Sequence, residues 1–260
     1  MMIDPELILF LDQKKQIENS DGYRHFRKLL KLRFSYLTFL DNSIELKRTF
    51  RRFASEHEDF FYTPAKLNKR QRTIVRQLYN AISSAQNLKE HLRKENPSFS
   101  QSPGDSDLLY FFRELRNMLV HHHSFSLVSR RVGSTQAGQR SLEVFQSMDL
   151  KPFVDYLNER KKAKSISVKM VAQINDLLVF IDTLPTGFSF EKVFSSYCQS
   201  ILCFYRYWQN SYILSNYPAL ADLYENPLLY KGKVAPEPVS PLHRRYLGLL
   251  LRHGKPEAET

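Results

Sequence analysis

The chain has 260 residues, 42% hydrophobic and 25% charged, with eight glycines and twelve prolines. That composition supports a packed core and excludes collagenous, low-complexity and disordered classes. The formal charge of +11 is concentrated, since residues 22–94 hold 17 Lys and Arg against 6 Asp and Glu while the remainder balances; the excess points to a polyanion partner such as nucleic acid, or to a solvated helical face.

At the N-terminus acids precede the short apolar run Leu7 to Leu11, the reverse of a secretion signal. No stretch approaches 18 uninterrupted apolar residues, so no membrane span is expected and a reducing cytoplasm is the expected compartment. The two cysteines, Cys198 and Cys203, lie five apart in a helical pattern. On different faces they cannot bridge, which excludes a disulfide scaffold and a four-cysteine zinc site.

Residues 23–62 lack proline and glycine, and Phe26, Leu29, Leu30, Leu37, Leu40 and Ile44 fall near helical spacing. They predict one helix, or two with a break at Asp41-Asn42-Ser43, and a stop at Thr63-Pro64. Ile74, Leu78, Ala81, Ala85, Leu88 and Leu92 mark one face of a second long helix over 67–92, and the two long helices predict an antiparallel hairpin. Residues 96–104 read as a loop. Asp105-Ser106-Asp107 supplies cap candidates for a helix from Leu108 to about His122. Residues 125–132 and 142–148 read as short strands around a turn at 133–138, an inserted β-hairpin. Asp149 caps a short helix to Arg160. A further helix spans 166–181, closed by Pro185 and Gly187.

Phe190, Val193, Phe194, Tyr197, Ile201, Phe204, Tyr205 and Trp208 then follow one helical line and predict a core helix. Residues 233–241 carry three prolines and read as a linker before a basic helix, Leu242 to Arg252, which docks on the body or on a partner subunit. No glycine-rich phosphate loop and no internal repeat is found.

Chemistry concentrates in the helix that begins at Leu108. At 100° per residue Leu108, Phe111, Phe112, Leu115, Met118 and Leu119 share one side, and Arg113, Glu114, Arg116, Asn117 and His121 lie opposite. These groups suit phosphodiester cleavage. An imidazole exchanges a proton near neutral pH, and a fork-shaped, permanently charged guanidinium holds a phosphate and offsets charge in the pentacovalent transition state. Asn117 and His121 are one turn apart, so the amide can orient the ring. On RNA the 2′-hydroxyl is the nucleophile, and no metal is needed. Successive residues of His121-His122-His123 point about 100° apart and cannot chelate one ion, so no metal site is expected. His122 falls on the apolar side as a core histidine. The alternative for the polar side is a face of salt bridges, Arg113 to Glu114 or Arg116 to acids across a bundle.

Arg116-Asn117-Met118-Leu119-Val120-His121 resembles the R-N-x-x-x-H signature of HEPN domains, an all-helical superfamily with many RNases of toxin, abortive-infection and other defence systems. Phe111-Phe112-Arg113-Glu114-Leu115 before the motif and the flanking long helices resemble its context, over about residues 23–210. The resemblance implies a homodimer whose two motif helices face each other across a composite cleft. It implies that Arg116 stabilises the phosphate, that His121 is general acid or base, and that Asn117 orients. Glu114 would fix Arg116 or the imidazole, with His123 the second-choice catalytic residue. The β-hairpin and the basic C-terminal tail depart from the minimal helical core.

The expectation is therefore a mainly α, HEPN-like antiparallel bundle over 1–215 with a β-hairpin at about 125–148, followed by a linker and short helix over 216–260. Its expected activity is metal-independent endoribonuclease action without a cofactor, in a toxin or antiviral setting. The expected partners are RNA, a second copy and an antitoxin or defence protein, with no membrane. Arg51, Arg52, Arg70, Arg72, Arg76 and Arg113 are the expected RNA-binding residues. The alternative is a non-catalytic helical module that binds RNA or protein.

Overall fold

The computed structural model describes residues 5–55, 64–95, 106–121, 125, 127–136, 139–163, 166–226 and 241–253. In chain order these form α1 (Pro5–Asn19), α2 (Asp21–Ser55), α3 (Pro64–Glu95) and α4 (Ser106–His121), then β1 (Leu127–Gln136) and β2 (Gln139–Met148). After them come α5 (Lys151–Lys161), α6 (Val168–Thr183), α7 (Phe190–Ser215), α8 (Tyr217–Glu225) and α9 (Pro241–His253). The architecture is mainly α, with one antiparallel strand pair in which Leu127 faces Met148 and Gln136 faces Gln139. No helix among the described residues is long and apolar enough to cross a membrane.

The apolar run at the N-terminus belongs to α1, an element the sequence pattern did not reveal. Ser20 separates α1 from α2, its hydroxyl donating to the Ile17 carbonyl at 2.7 Å and accepting from the Tyr23 amide at 3.2 Å. The latter is an N-cap contact for α2.

Of the two alternatives the structure has the single helix: α2 runs unbroken through Asp41-Asn42-Ser43 for 35 residues. Ser43 is buried and its hydroxyl donates to the Phe39 carbonyl at 2.8 Å, so a residue that often interrupts helices is accommodated inside one. The buried line on α2 is Phe26, Leu29, Leu32, Phe39, Ser43, Leu46 and Phe50. Leu37 and Ile44, expected on that line, are exposed. Leu30, Leu37 and Ile44 repeat at seven, as the buried Leu32, Phe39 and Leu46 do, so the sequence holds two parallel lines two residues apart, and two residues are about 200° around the helix.

The structure divides into two compact units, one of residues 1–35, 91–100 and 205–260, the other of 36–90 and 101–204. The units interleave along the chain. In the first unit, Lys28 pairs with Glu95 at 3.0 Å and Ser35 meets His91 at 2.9 Å, the descending order of an antiparallel α2–α3 pair. Helix α9 docks within this unit. Leu247, Leu250 and Leu251 are buried, Tyr246 accepts a hydrogen bond from Gln209 at 3.0 Å, and Arg33 lies 3.9 Å from the Tyr246 ring centre. Near the start of α2, Gly22 faces α8 so closely that a Cβ there would stand 2.1 Å from the Ala219 carbonyl oxygen.

The second unit is built on aromatic contacts that grip α4. Phe112 lies 4.2 Å from Tyr197, 5.8 Å from Phe194 and 6.0 Å from Phe190, while Phe111 lies 5.2 Å from Phe153 and 6.1 Å from Phe180. Edge-on and tilted ring pairs of this kind add to the area that they bury. Helix α4 also packs on α5 and α6. All the expected apolar positions of α4 and α3 are buried, and so are those of α7 apart from Val193, which is half-buried. Thus α4 is held by one side through α5, α6 and α7, which fixes where its polar residues point.

Candidate functional site

Five polar residues of α4 were expected to lie together on its open side. Glu114 does not. Its side chain is fully buried and meets Arg160, from the last turn of α5. A carboxylate buried to this degree needs a cation and hydrogen-bond donors. Arg160 supplies the first, Arg113 adds its Nε at 3.4 Å from Oε1, and the Asn117 amide donates to Oε2 at 3.5 Å.

Arg160 also donates to the Tyr156 hydroxyl at 3.0 Å. Burial works against the Arg160 charge, but Glu114 and then Tyr156 outweigh it and hold the guanidinium above its ordinary range. Burial, then the Glu114 charge, pushes the Tyr110 hydroxyl up, against the opposing pull of Arg113 and Arg160. Burial likewise raises Tyr156, less so for its bond to Arg160. Both tyrosines are therefore neutral hydroxyls around this ion pair.

The chain of contacts continues outward. With its amide nitrogen directed at Glu114, Asn117 turns its carbonyl oxygen toward Arg116, which donates to it through Nη1 at 3.4 Å. The Arg116 guanidinium also lies 5.7 Å from the ring centre of Tyr79 on α3. Its Nε is buried with no hydrogen-bond partner, and it pairs with no carboxylate among the described residues. Of the salt bridges weighed for this face, Arg113 to Glu114 is formed, and Arg116 to an acid is not among the described residues. Arg116 therefore keeps donors unspent while its position is fixed from behind.

Tyr79 also belongs to a groove of about 880 Å³ whose floor is one face of α3, formed by Asn68, Gln71, Arg72, Val75, Arg76 and Tyr79 at helical spacing. Leu119 and Val120 of the motif helix form the opposite wall, with Phe125 beside them. The base of the β-hairpin closes on α3 here, where Gln71 donates to the Leu127 carbonyl at 3.4 Å. The groove thus runs beside the last turn of α4, which ends at His121. The His121 side chain, and His122 and His123 entirely, lie outside the described residues.

The expected RNA-binding residues divide. Arg72 and Arg76 are exposed in the groove, Arg113 is exposed on α4 with its guanidinium 4.6 Å from the Tyr110 ring centre, and Arg51 and Arg52 are exposed on α2. Arg70 is the correction. It is only 8% exposed, because it falls one turn before Ile74 on the buried line of α3, and cannot track a polyanion along the surface. Sequence reading missed Arg160 and Tyr79. The first sits 46 residues from its partner, beyond any helical wheel, although Tyr156 one turn earlier marks the same inward face. The second follows Arg72 and Val75 at intervals of three and four, a stripe beside the buried one.

Comparison of the chain with family models, with curated proteins and with solved structures finds no match in any of the three.

Proposed function

We propose that the protein is a metal-independent endoribonuclease of HEPN type, with Arg116 holding the scissile phosphate and His121 moving the proton. One observation carries this reading: Arg116 is positioned from behind by Asn117, Glu114 and Arg160, keeps unspent donors, and contacts Tyr79 on the floor of an arginine-bearing groove. A guanidinium fixed before substrate arrives offsets phosphorane charge without reorganising. In this reading Glu114 positions the amide of Asn117 rather than contacting the imidazole. The 2′-hydroxyl of the RNA attacks the adjacent phosphorus, a base takes its proton, and the 5′-oxygen leaves with a proton supplied in return. The working form is a homodimer in which the motif helices face one another, since the open side of α4 needs a second wall to enclose a phosphate.

The test is incubation of the purified protein with tRNA and mRNA in EDTA. The expected products carry 2′,3′-cyclic phosphate and 5′-hydroxyl ends, and DNA of the same sequence stays whole because it lacks the attacking hydroxyl. RNA that is bound but never cut would make the chain a helical RNA-binding module. RNA neither bound nor cut would remove the reading.

A further inference from the structure

The groove between α3 and α4 combines two kinds of surface that rarely serve one ordinary solvent face. Its floor carries Arg72 and Arg76, exposed cations one turn apart, neither of which meets a carboxylate among the described residues. Beside them on the floor are the Tyr79 ring and Val75, and Leu119 and Val120 line the groove from α4, the last 39% exposed although it is apolar. Cations alone would suit any polyanion. An aromatic ring and aliphatic walls beside them suit a flat apolar group attached to phosphates. One helical turn separates the two arginines by about 6 Å along the axis, a spacing that lets each take a different phosphate of one strand. The volume, about 880 Å³, is that of a site for a small molecule or a few nucleotides. A duplex presents its phosphates but keeps its bases stacked inside, out of reach of Tyr79.

We propose that this groove is a nucleotide subsite: an unpaired base of the strand rests against Tyr79 and the apolar walls, and its flanking phosphates lie on Arg72 and Arg76. The proposal rests on the reading of the chain as an RNA-acting protein and adds what that reading lacks, a place for a base. Tyr79 links the two, because Arg116 lies 5.7 Å from its ring centre. A nucleotide seated there brings a neighbouring phosphate toward Arg116, so the subsite sets which base flanks the cut.

The test is fluorescence anisotropy with a labelled single-stranded DNA about eight nucleotides long, within the span covered by single-strand binding folds. DNA lacks the 2′-hydroxyl and stays uncut, so binding is read without cleavage. The strand should bind about tenfold more tightly than a blunt duplex of the same sequence. Tyr79→Leu should weaken strand binding about tenfold, in line with the loss of one stacked base, while Tyr79→Phe keeps it. Arg72→Gln with Arg76→Gln should flatten the log–log salt slope by roughly 1.4, about 0.7 for each phosphate released. Circular dichroism confirms that each variant is folded. Equal or tighter duplex binding, no binding of either probe, or a Tyr79→Leu variant that binds as wild type does would overturn the proposal. RNA cleavage with an indifferent Tyr79 removes the subsite and leaves the nuclease. Strand binding that depends on Tyr79 without any cleavage of RNA removes the nuclease and leaves the subsite.

Discussion

Replacing Arg160 by methionine strands the buried carboxylate of Glu114. Loss of one partner from a buried ion pair costs about 3–5 kcal/mol, because the remaining charge stays desolvated. Two features of this pair reduce the figure. Arg160 keeps 24% of its side chain exposed, so water can enter where the guanidinium was, and Arg113 remains 3.4 Å from Oε1. The expected loss is therefore about 2–3 kcal/mol. Glu114→Gln should cost less, about 1 kcal/mol, because Arg160 keeps the Tyr156 hydroxyl and partial hydration. With both replaced, no charge is buried, and the double variant should be more stable than Arg160→Met alone, with a coupling energy of about 1–2 kcal/mol. Urea unfolding of the four proteins, with unchanged slopes, gives the cycle directly. An Arg160→Met variant within about 0.5 kcal/mol of wild type, or additive single effects, would show that the pair does not hold α5 to the motif helix.

Other outcomes follow from particular contacts. Gly22→Ala places a methyl group against the Ala219 backbone and should cost about 2 kcal/mol, or roughly 4–8 °C in Tm; an unchanged Tm would contradict that close approach. His25 has a lowered pKa, from burial first and then from Lys28, and it lies 2.7 Å from the Tyr212 hydroxyl. The unfolded chain binds a proton below pH about 6.5 that the folded ring refuses, so stability should fall as pH drops from neutrality through about 6.5. This contribution is fully present above that range, its slope stays below about 1.4 kcal/mol per pH unit, and His25→Gln should flatten it in urea midpoints measured at each pH. Light scattering of active protein at micromolar concentration should give a dimer, and an active monomer would refute the composite cleft.

Much of the fold was legible because it rests on repeats of local spacing. The lines Ile74 to Leu92 and Phe190 to Trp208 keep steady steps, and α3 and α7 follow from them. Helix α2 was less legible because two lines of the same period, Leu30-Leu37-Ile44 and Leu32-Phe39-Leu46, are both apolar in the sequence, and because the buried side includes Ser43, a polar residue whose hydroxyl is satisfied inside the helix. The site was half legible. The wheel of α4 separates Arg116 and Asn117 from the phenylalanines, but it set Glu114 outside although that residue lies three after Phe111 and four before Met118, both core positions. What reconciles a carboxylate with that position is Arg160, supplied by another helix, and no local pattern carries such a pairing. Arg70 was misplaced by reading charge without extending the stripe of α3 back by one turn.

Single-turnover cleavage in EDTA by wild type, Arg116→Ala and His121→Ala decides whether Arg116 and His121 act together on RNA, as we propose. Each alanine should lower the rate by on the order of 10² or more with an unchanged circular dichroism spectrum, because Arg116 lies off the buried line that anchors α4. Wild-type cleavage that stops in EDTA would show that a metal ion, not the Arg116–His121 pair alone, carries the reaction. A His121→Ala variant as fast as wild type while His123→Ala is inactive would contradict the role proposed for His121.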